Sequence, residues 1–297
     1  MRIKHRYVAI HKNEQLLADV RDLGIPFHWE DVDPSAPIQF CFLEFFLYED
    51  DPRYEERKAR LAQYDLNPTE STEFLPVDVE SASWFMLDTG QFVYPQPEDG
   101  FKFGNRTYDI SHACPLCMIG QVQIAPFRFK TPPKARHSAL LGLNWVPFEL
   151  FVRTQASELW LAERFTGVRF SSPVLHKTSQ PLDGLLQAHV DTFLPQGISL
   201  HNLVAEPCSL PDRIPKWLEE RLRTMLVCKT ERYNLPTRGP LTFPADVLHG
   251  QPDFVRTFKW FGSGGESYRP ILVSKRVRDS ALKHRLRGGK FTPVLLT

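Results

Sequence analysis

The sequence predicts an α+β protein with mixed sheets, and three observations carry that prediction. One unit occurs twice in the 297 residues: Val152–Leu175 (VRTQASELWLAERFTGVRFSSPVL) and Val273–Leu295 (VSKRVRDSALKHRLRGGKFTPVL). The copies begin 273 − 152 = 121 residues apart and align with one single-residue gap near the end. Leu161 matches Leu282, Arg164 matches Arg285, Gly167 matches Gly288 and Phe170 matches Phe291. Each copy reads as strand, helix, glycine stop, strand. Two copies make a duplicated building block; a solenoid needs three or more. The second observation is Cys114-Pro115-Leu116-Cys117, set between β-like runs as in a zinc-knuckle hairpin. The third is composition: 25 prolines and 22 phenylalanines imply short elements, fixed loops and Phe-packed cores.

Taken in order, Arg2–Ile10 alternates as a strand and Glu14–Leu23 reads as a short helix ending at Gly24. Ile38–Tyr48 is an apolar run bounded by Pro37 and an acidic cluster, the pattern of a buried strand. Asp51 as N-cap and Pro52 at the first position open a charged helix. Its face of Tyr54, Arg57, Lys58, Leu61 and Ala62 is expected to be mostly solvated. Leu66–Pro76 reads as loop, and Trp84–Tyr94 as a hairpin turning at Asp88-Thr89-Gly90. In the two copies, Phe148–Val152 and Pro270–Val273 are strands. Leu161 with Phe165, and Leu282 with Leu286, stand one helical turn apart and are expected to be buried against a sheet. Gly167 and Gly288 occupy the helix C-cap, where a left-handed backbone is wanted. Pro181–Phe193 and Pro211–Met225 are expected helices, Pro236–Asp246 is loop and Ser263-Gly264-Gly265 a turn. The softest boundary lies between Pro95 and Asn105. It divides an N-terminal α+β region, 1–105, from a CxxC-containing region, 106–297, whether as two domains or one continuous globule.

Bulk properties exclude several classes. With 42% hydrophobic residues the chain can bury a sizeable core. Apolar stretches are broken by charge well short of a membrane span, and the N-terminus lacks the apolar core of a secretory signal. A net charge of +1 gives no electrostatic case for nucleic acid or membrane. Five cysteines are not a disulfide scaffold. The expectation is a cytoplasmic protein.

The CPxC turn presents two thiolates from one stiffened loop, and tetrahedral zinc needs two ligands more. Cys228 is the best third and Glu231 the fourth, with Cys208 or His112 as alternates; a redox dithiol or plain buried thiols are the competing readings. Cys41, inside an apolar run, is core. The ten histidines form no HExxH, and no GxSxG or phosphate loop occurs. His189 lies two residues from Asp191 and His249 three from Asp246, and either pair could serve acid–base chemistry, but no nucleophile stands at a fixed spacing from them. The basic run Lys275–Lys290 has no basic counterpart in the first copy, so its charge is not intrinsic to the unit.

Repeat and CxxC together resemble the double-CXXCG motif immunity proteins of myxobacteria. Those carry a CPxCG, a strand–helix–Gly unit, a second CxxCG, a segment with Asp, apolar residues and Arg, and a closing strand–helix–Gly–strand unit. Here the order is Cys114–Cys117, Phe148–Leu175, Cys228-Lys229-Thr230-Glu231-Arg232, Asp253-Phe254-Val255-Arg256 and Ile271–Leu295. The resemblance runs from Tyr108 to the end. It departs at Met118, where the family has Gly, and at Glu231, where it has its last Cys. What it implies is a protein that binds and neutralises a cognate protein toxin encoded beside it, without catalytic residues. The alternatives are a zinc-ribbon-like nucleic-acid-binding protein using Lys275–Lys290, or a hydrolase. Aromatic anchors rimmed by charge suit such a contact. Trp29, Tyr48 and Tyr54 beside Glu30, Asp31, Asp50 and Asp51 are the candidates, complementary to a basic partner.

Overall fold

The computed structural model describes residues 1–11, 13–31, 40–92, 104–134, 137–144, 146–208, 228–262 and 267–297. The expected helix Pro211–Met225 and the turn Ser263–Gly265 lie outside them. Helices and a larger share of strands build several mixed sheets, as an α+β class requires. The chain divides into two compact units, Met1–Ser81 with Pro236–Pro240, and Ala82–Leu235 with Leu241–Thr297.

The first unit is a four-stranded antiparallel sheet in the order β2-β3-β1-β4: β1 (Arg2–His11), β2 (Phe27–Asp31), β3 (Phe40–Tyr48) and β4 (Thr69–Glu73). Alternation sends Leu43, Phe45 and Leu47 of β3 and Tyr7 of β1 into one core, where the Tyr7 and Phe45 rings stack at 5.0 Å. Helix Glu14–Asp22 packs Leu16 and Val20 onto it. Asn13 caps this helix through a 3.0 Å bond from the Leu16 N–H, and Gly24 leaves it with φ +62°.

Three expectations are corrected here. Helix Tyr54–Leu61 is not solvated on its apolar side: Tyr54 and Leu61 are buried in the same core, because the two sit seven apart on one face. The helix also starts later than expected, at Tyr54 with Arg53 in the N-cap position and no side-chain cap bond; Asp51 accepts the Arg53 N–H at 2.8 Å in the turn before it. Within Leu66–Pro76, read as loop, Thr69–Glu73 forms β4. The free edge of β1 supplies backbone partners that polar side chains do not advertise.

The second unit begins with β5 (Trp84–Thr89) and β6 (Gln91–Phe92), so residues inside the stretch 1–105 belong to its sheets. These two strands are not a hairpin. β6 pairs parallel with β10 (Leu140–Leu143), whereas β5 pairs with strands nearly two hundred residues on. The reason is that β5 is apolar on both faces and fits an inner position. After β7 (Tyr108–Asp109), β8 (Val122–Gln123) and β9 (Arg128–Phe129), the first copy is β11 (Val146–Arg153), helix Thr154–Ala162, β12 (Arg169–Ser171) and β13 (Val174–Leu175). β14 (Leu185–His189) follows, a strand where Pro181–Phe193 was expected to be helical. Its five residues, Leu-Leu-Gln-Ala-His, are too few for helical and strand periods to be told apart. Then come β15 (Ala205–Pro207), β16 (Glu231–Tyr233), β17 (Thr242–Phe243), β18 (Phe254–Arg256) and β19 (Trp260–Phe261). The second copy closes the chain as β20 (Ile271–Ser274), helix Lys275–Lys283, β21 (Gly289–Pro293) and β22 (Leu295–Leu296).

The two copies build equivalent sheets, β12-β14-β11-β10 (extended by β6) and β21-β5-β20-β18. Register makes the equivalence residue by residue: Phe170 faces Ala188 as Phe291 faces Leu87, and Leu150 faces Ala188 as Ile271 faces Leu87. β13 runs parallel to β9 as β22 does to β17, with the Val174 N–H on the Phe127 carbonyl and the Leu295 N–H on the Leu241 carbonyl. That offset is again 295 − 174 = 121, so the gap in the sequence alignment has no counterpart in the pairing. The helices bury the same three positions: Ala156, Ser157 and Trp160; Val277, Arg278 and Ala281.

Of the four repeat residues expected to be buried, Phe165 and Leu286 are, but Leu161 and Leu282 are 64% and 54% exposed. The helix ends between the members of each pair. Arg164 and Arg285 stand in the left-handed region, φ 56° and 55°, and form the C-terminal cap instead of the glycines. The Phe165 N–H bonds the Trp160 carbonyl at 3.0 Å and the Leu286 N–H the Ala281 carbonyl at 2.8 Å, the six-to-one bond of a Schellman stop. The cap turns the fifth residue inward and leaves its expected partner outside.

Gly167 and Gly288 have another task. Each has positive φ, 82° and 98°, and a Cβ built there would fall 2.2 Å from the Phe254 carbonyl oxygen and 2.1 Å from that of Leu140. Phe254 lies on β18 of the second copy's sheet and Leu140 on β10 of the first. Each copy therefore lays its glycine on the other's strand, with the Phe254 N–H on Thr166 O and the Leu140 N–H on Arg287 O, both 3.0 Å.

Candidate metal centre

Two loops bring four thiols together. In the first, the β7–β8 pair frames the CPxC turn, with Tyr108 opposite Gln123. The Met118 N–H returns to the Cys114 carbonyl at 2.9 Å and the Cys114 N–H to Ile119 O at 2.8 Å. Met118 takes φ 59°, the conformation for which a glycine is the usual residue. Gly120, φ 101°, lets the chain pass so close to the His112 carbonyl that a Cβ would lie 2.6 Å from its oxygen.

The second loop is set by β15 and β16, which pair Pro207 with Glu231, while the Cys208 N–H bonds Thr230 O at 3.1 Å. That ladder brings Cys208 beside Cys228, whose follower Lys229 is again left-handed at φ 54°. The two cysteines are one pair split by 228 − 208 − 1 = 19 residues of intervening sequence.

Cys114 Sγ lies 3.7 Å from Cys208 Sγ, and Cys117 Sγ 3.6 Å from Cys228 Sγ. All four sulfurs fall within 4.8 Å of one another, and none is in a disulfide. A tetrahedral thiolate centre with bonds of about 2.3 Å has sulfur–sulfur edges of about 3.8 Å, so the donor set fits such an ion. Three of the thiols are buried and Cys228 is exposed. Burial opposes ionisation of Cys114, but backbone N–H groups of Cys228, Leu116 and Cys117 overcome it and bring the thiol down to about 6. Burial pushes Cys117 up to about 11, with Cys114 and Cys228 adding to it, and raises Cys208 further, with Cys117 and Cys114 adding to that. Without a cation, the cluster does not hold four thiolates.

Of the expected ligands, Cys114, Cys117 and Cys228 are in the cluster and so is the alternate Cys208. Glu231 is not: it is exposed on β16, and its carboxylate accepts the Tyr233 hydroxyl at 3.0 Å. Strand geometry carries a side chain three residues past Cys228 away from the loop. His112 is exposed and also outside the cluster; its carbonyl serves the turn. Cys41 is buried in the first unit, as expected.

The acid–base candidates fare differently. His189 Nε2 is 2.7 Å from Ser171 Oγ, a contact across β12 and β14 that spacing alone does not reveal. Burial, then Arg169, holds its imidazole below the ordinary value. Asp191 pairs with Arg169 at 2.6 Å. His249 is exposed after the short helix Ala245–Leu248. A polar network beside His189 went unread in the sequence: Tyr108 Oη donates to Glu149 at 2.8 Å, and Gln187 Nε2 donates to the other Glu149 oxygen at 2.7 Å. Burial raises the Glu149 carboxyl, against Arg256, Gln187 and Tyr108. The signals for it are Glu149 inside the apolar run of β11 and Gln187 within β14.

In the first unit, Tyr54 is no contact residue, because its hydroxyl is buried against His5 Nε2 at 3.0 Å. Trp29 packs partly onto the core, and Tyr48 lies half-buried under Arg2 at 3.8 Å. Glu30 and Asp50 are exposed, and Asp51 is tied to Arg53 and Arg57. The Asp31 side chain lies outside the described residues. No helix of the described residues is long and apolar enough to cross a membrane. Comparison with protein-family models and with curated proteins gives no match for this chain.

Proposed function

We propose that this is a zinc-stapled immunity protein that silences a cognate protein toxin by stoichiometric binding in the cytoplasm. The observation that carries the reading is the four-sulfur cluster. It supplies from Cys208 the fourth cysteine that the resemblance calls for and that the sequence around Glu231 lacks. Zinc held by four thiolates has no open position for substrate, so its part is to fasten the CPxC hairpin to β15 and β16. The interface is formed by side chains elsewhere, with Trp29 and Tyr48 beside Glu30, Asp50 and Asp51 as the first-unit candidates for a basic partner.

The test combines metal analysis and co-expression. Protein purified without chelator carries one zinc per chain, and co-expression with the product of the neighbouring gene relieves toxicity and yields a one-to-one complex. Turnover of a substrate with no complex formed would overturn the binding reading. Absence of stoichiometric zinc would overturn the staple alone.

A further inference from the structure

A cavity of about 580 Å³ opens in the second unit, with Glu149, Arg256, Trp260, Ser267 and Arg269 on its wall and Phe193 at its margin. That volume suits a small organic ligand. Among the described residues its charges cancel except for one. Arg169 and Asp191 pair with each other. Arg256 and Glu149 attract across the cavity wall, while Arg256 also donates to the Val190 and Arg269 carbonyls at 2.9 and 3.2 Å. His189 is held towards its neutral form.

Arg269 is the remaining charge. Its guanidinium stacks on Trp260 at 4.3 Å and Phe193 at 4.6 Å, and approaches Phe258 at 5.8 Å. No carboxylate among the described residues pairs with it, and its Nε is buried without a hydrogen-bond partner. Two residues earlier on the same extended segment, Ser267 is 2% exposed and its Oγ is also unpartnered. A buried donor left unpaired costs about 1–3 kcal/mol. Two of them on one cavity wall, beside an aromatic-stacked cation, define an acceptor of negative charge.

We propose that this cavity binds a small organic monoanion, a carboxylate on an aromatic or apolar body, with Arg269 and Ser267 as donors to the carboxylate. One uncompensated positive charge selects a monoanion over a phosphate monoester, which brings close to two. The faces of Phe193 and Trp260, with Val190, Ile124 and Pro126, take the body. The site adjoins the thiol cluster, since Met118 and Gln121 line it and the Ser267 N–H bonds the Cys117 carbonyl at 3.0 Å, but it uses none of the four sulfurs.

The probes are benzoate, benzamide and phenyl phosphate, with saturation-transfer NMR and calorimetric titration of the whole chain as readouts. Benzoate is expected to bind about tenfold more tightly than its neutral amide, the ratio for one charge-assisted hydrogen bond. Arg269→Gln should abolish that preference, and Ser267→Ala should reduce it, with the thermal transition of each variant showing that the fold is kept. No benzoate binding to the wild-type chain, or equal binding of benzoate and benzamide, overturns the proposal. So does phenyl phosphate binding more tightly than benzoate. The comparison of probes needs no variant, so it decides the matter even where Arg269→Gln does not fold.

Discussion

At the scale of single residues, Gly167 and Gly288 carry more of the fold than helix punctuation. Alanine at either has to hold a left-handed backbone and also displace a carbonyl of the opposite copy, at 2.2 or 2.1 Å. Gly184, with φ +72° and nothing within 4 Å, isolates the first cost from the second. Urea unfolding should give a loss of about 1 kcal/mol for Gly184→Ala and at least about 3 kcal/mol for Gly167→Ala or Gly288→Ala. Similar losses at all three positions would mean that the close approach is not tight. Asp19 provides a pH-dependent case in the first unit. Bonds from Tyr64, then Arg60, hold its carboxylate below the ordinary aspartate range, and Arg60 lies at 2.8 Å. A folded value below the unfolded one adds stability above the ordinary range, lost as pH falls through the folded value. Asp19→Asn should therefore weaken the unit at neutral pH and match wild type near about pH 2. A constant difference across that range would assign the effect to packing. Residue-level burial was legible only where periodicity continues: the exposure of Leu161 and Leu282 follows from a cap built on arginine, a residue that carries no propensity for it.

Elements were legible where their pattern is local. β1, β3 and both repeat helices follow from alternation and helical spacing in their own residues. β4 and β14 do not, being too short or too polar to show a period of their own, and β5, read as one arm of a hairpin, has its partners far along the chain. The same limit governed the metal centre. CPxC is visible as a local turn, whereas bringing Cys208 to Cys228, with 228 − 208 − 1 = 19 residues between them, depends on β15 meeting β16. Ligand substitutions separate the two readings of the fourth position. Cys208→Ser should lose stoichiometric zinc as fully as Cys114→Ser does, while Glu231→Gln retains it. Chelation should release amide protection in β15, β16 and the β7–β8 hairpin before the duplicated sheets, because bound metal stabilises the elements that supply its ligands. Loss of zinc in Glu231→Gln with retention in Cys208→Ser would reverse the assignment.

At the scale of the second unit, the duplication is interlocked. β14 follows its own copy, but its counterpart β5 arrives from the opposite end of the sequence, so the second sheet closes only when residues 84–89 meet residues 271–293. The second copy in turn covers the Leu140 strand of the first with Gly288 and Arg287. Burial is shared accordingly: Leu141 and Phe151 occupy one core and Val255 and Leu272 its counterpart, 141 + 114 = 255 and 151 + 121 = 272, the first offset being smaller because the connection from β18 to β20 is longer than that from β10 to β11. Neither copy is a complete folding unit, although each was legible as a repeat. A chain ending before Ile271 loses β20 and β21, leaving β5 and β18 without the strands that pair them and β10 without its cover. The expected outcome is that the whole second unit fails to form, first copy included: amide spectra of the truncated protein should lack the dispersed signals of β11 and β14, and proteolysis should cut within Val146–Arg153. A truncated chain that keeps those signals would show the copies to be independent domains, and the reciprocal seats of the two glycines would then be a packing detail without cooperative weight.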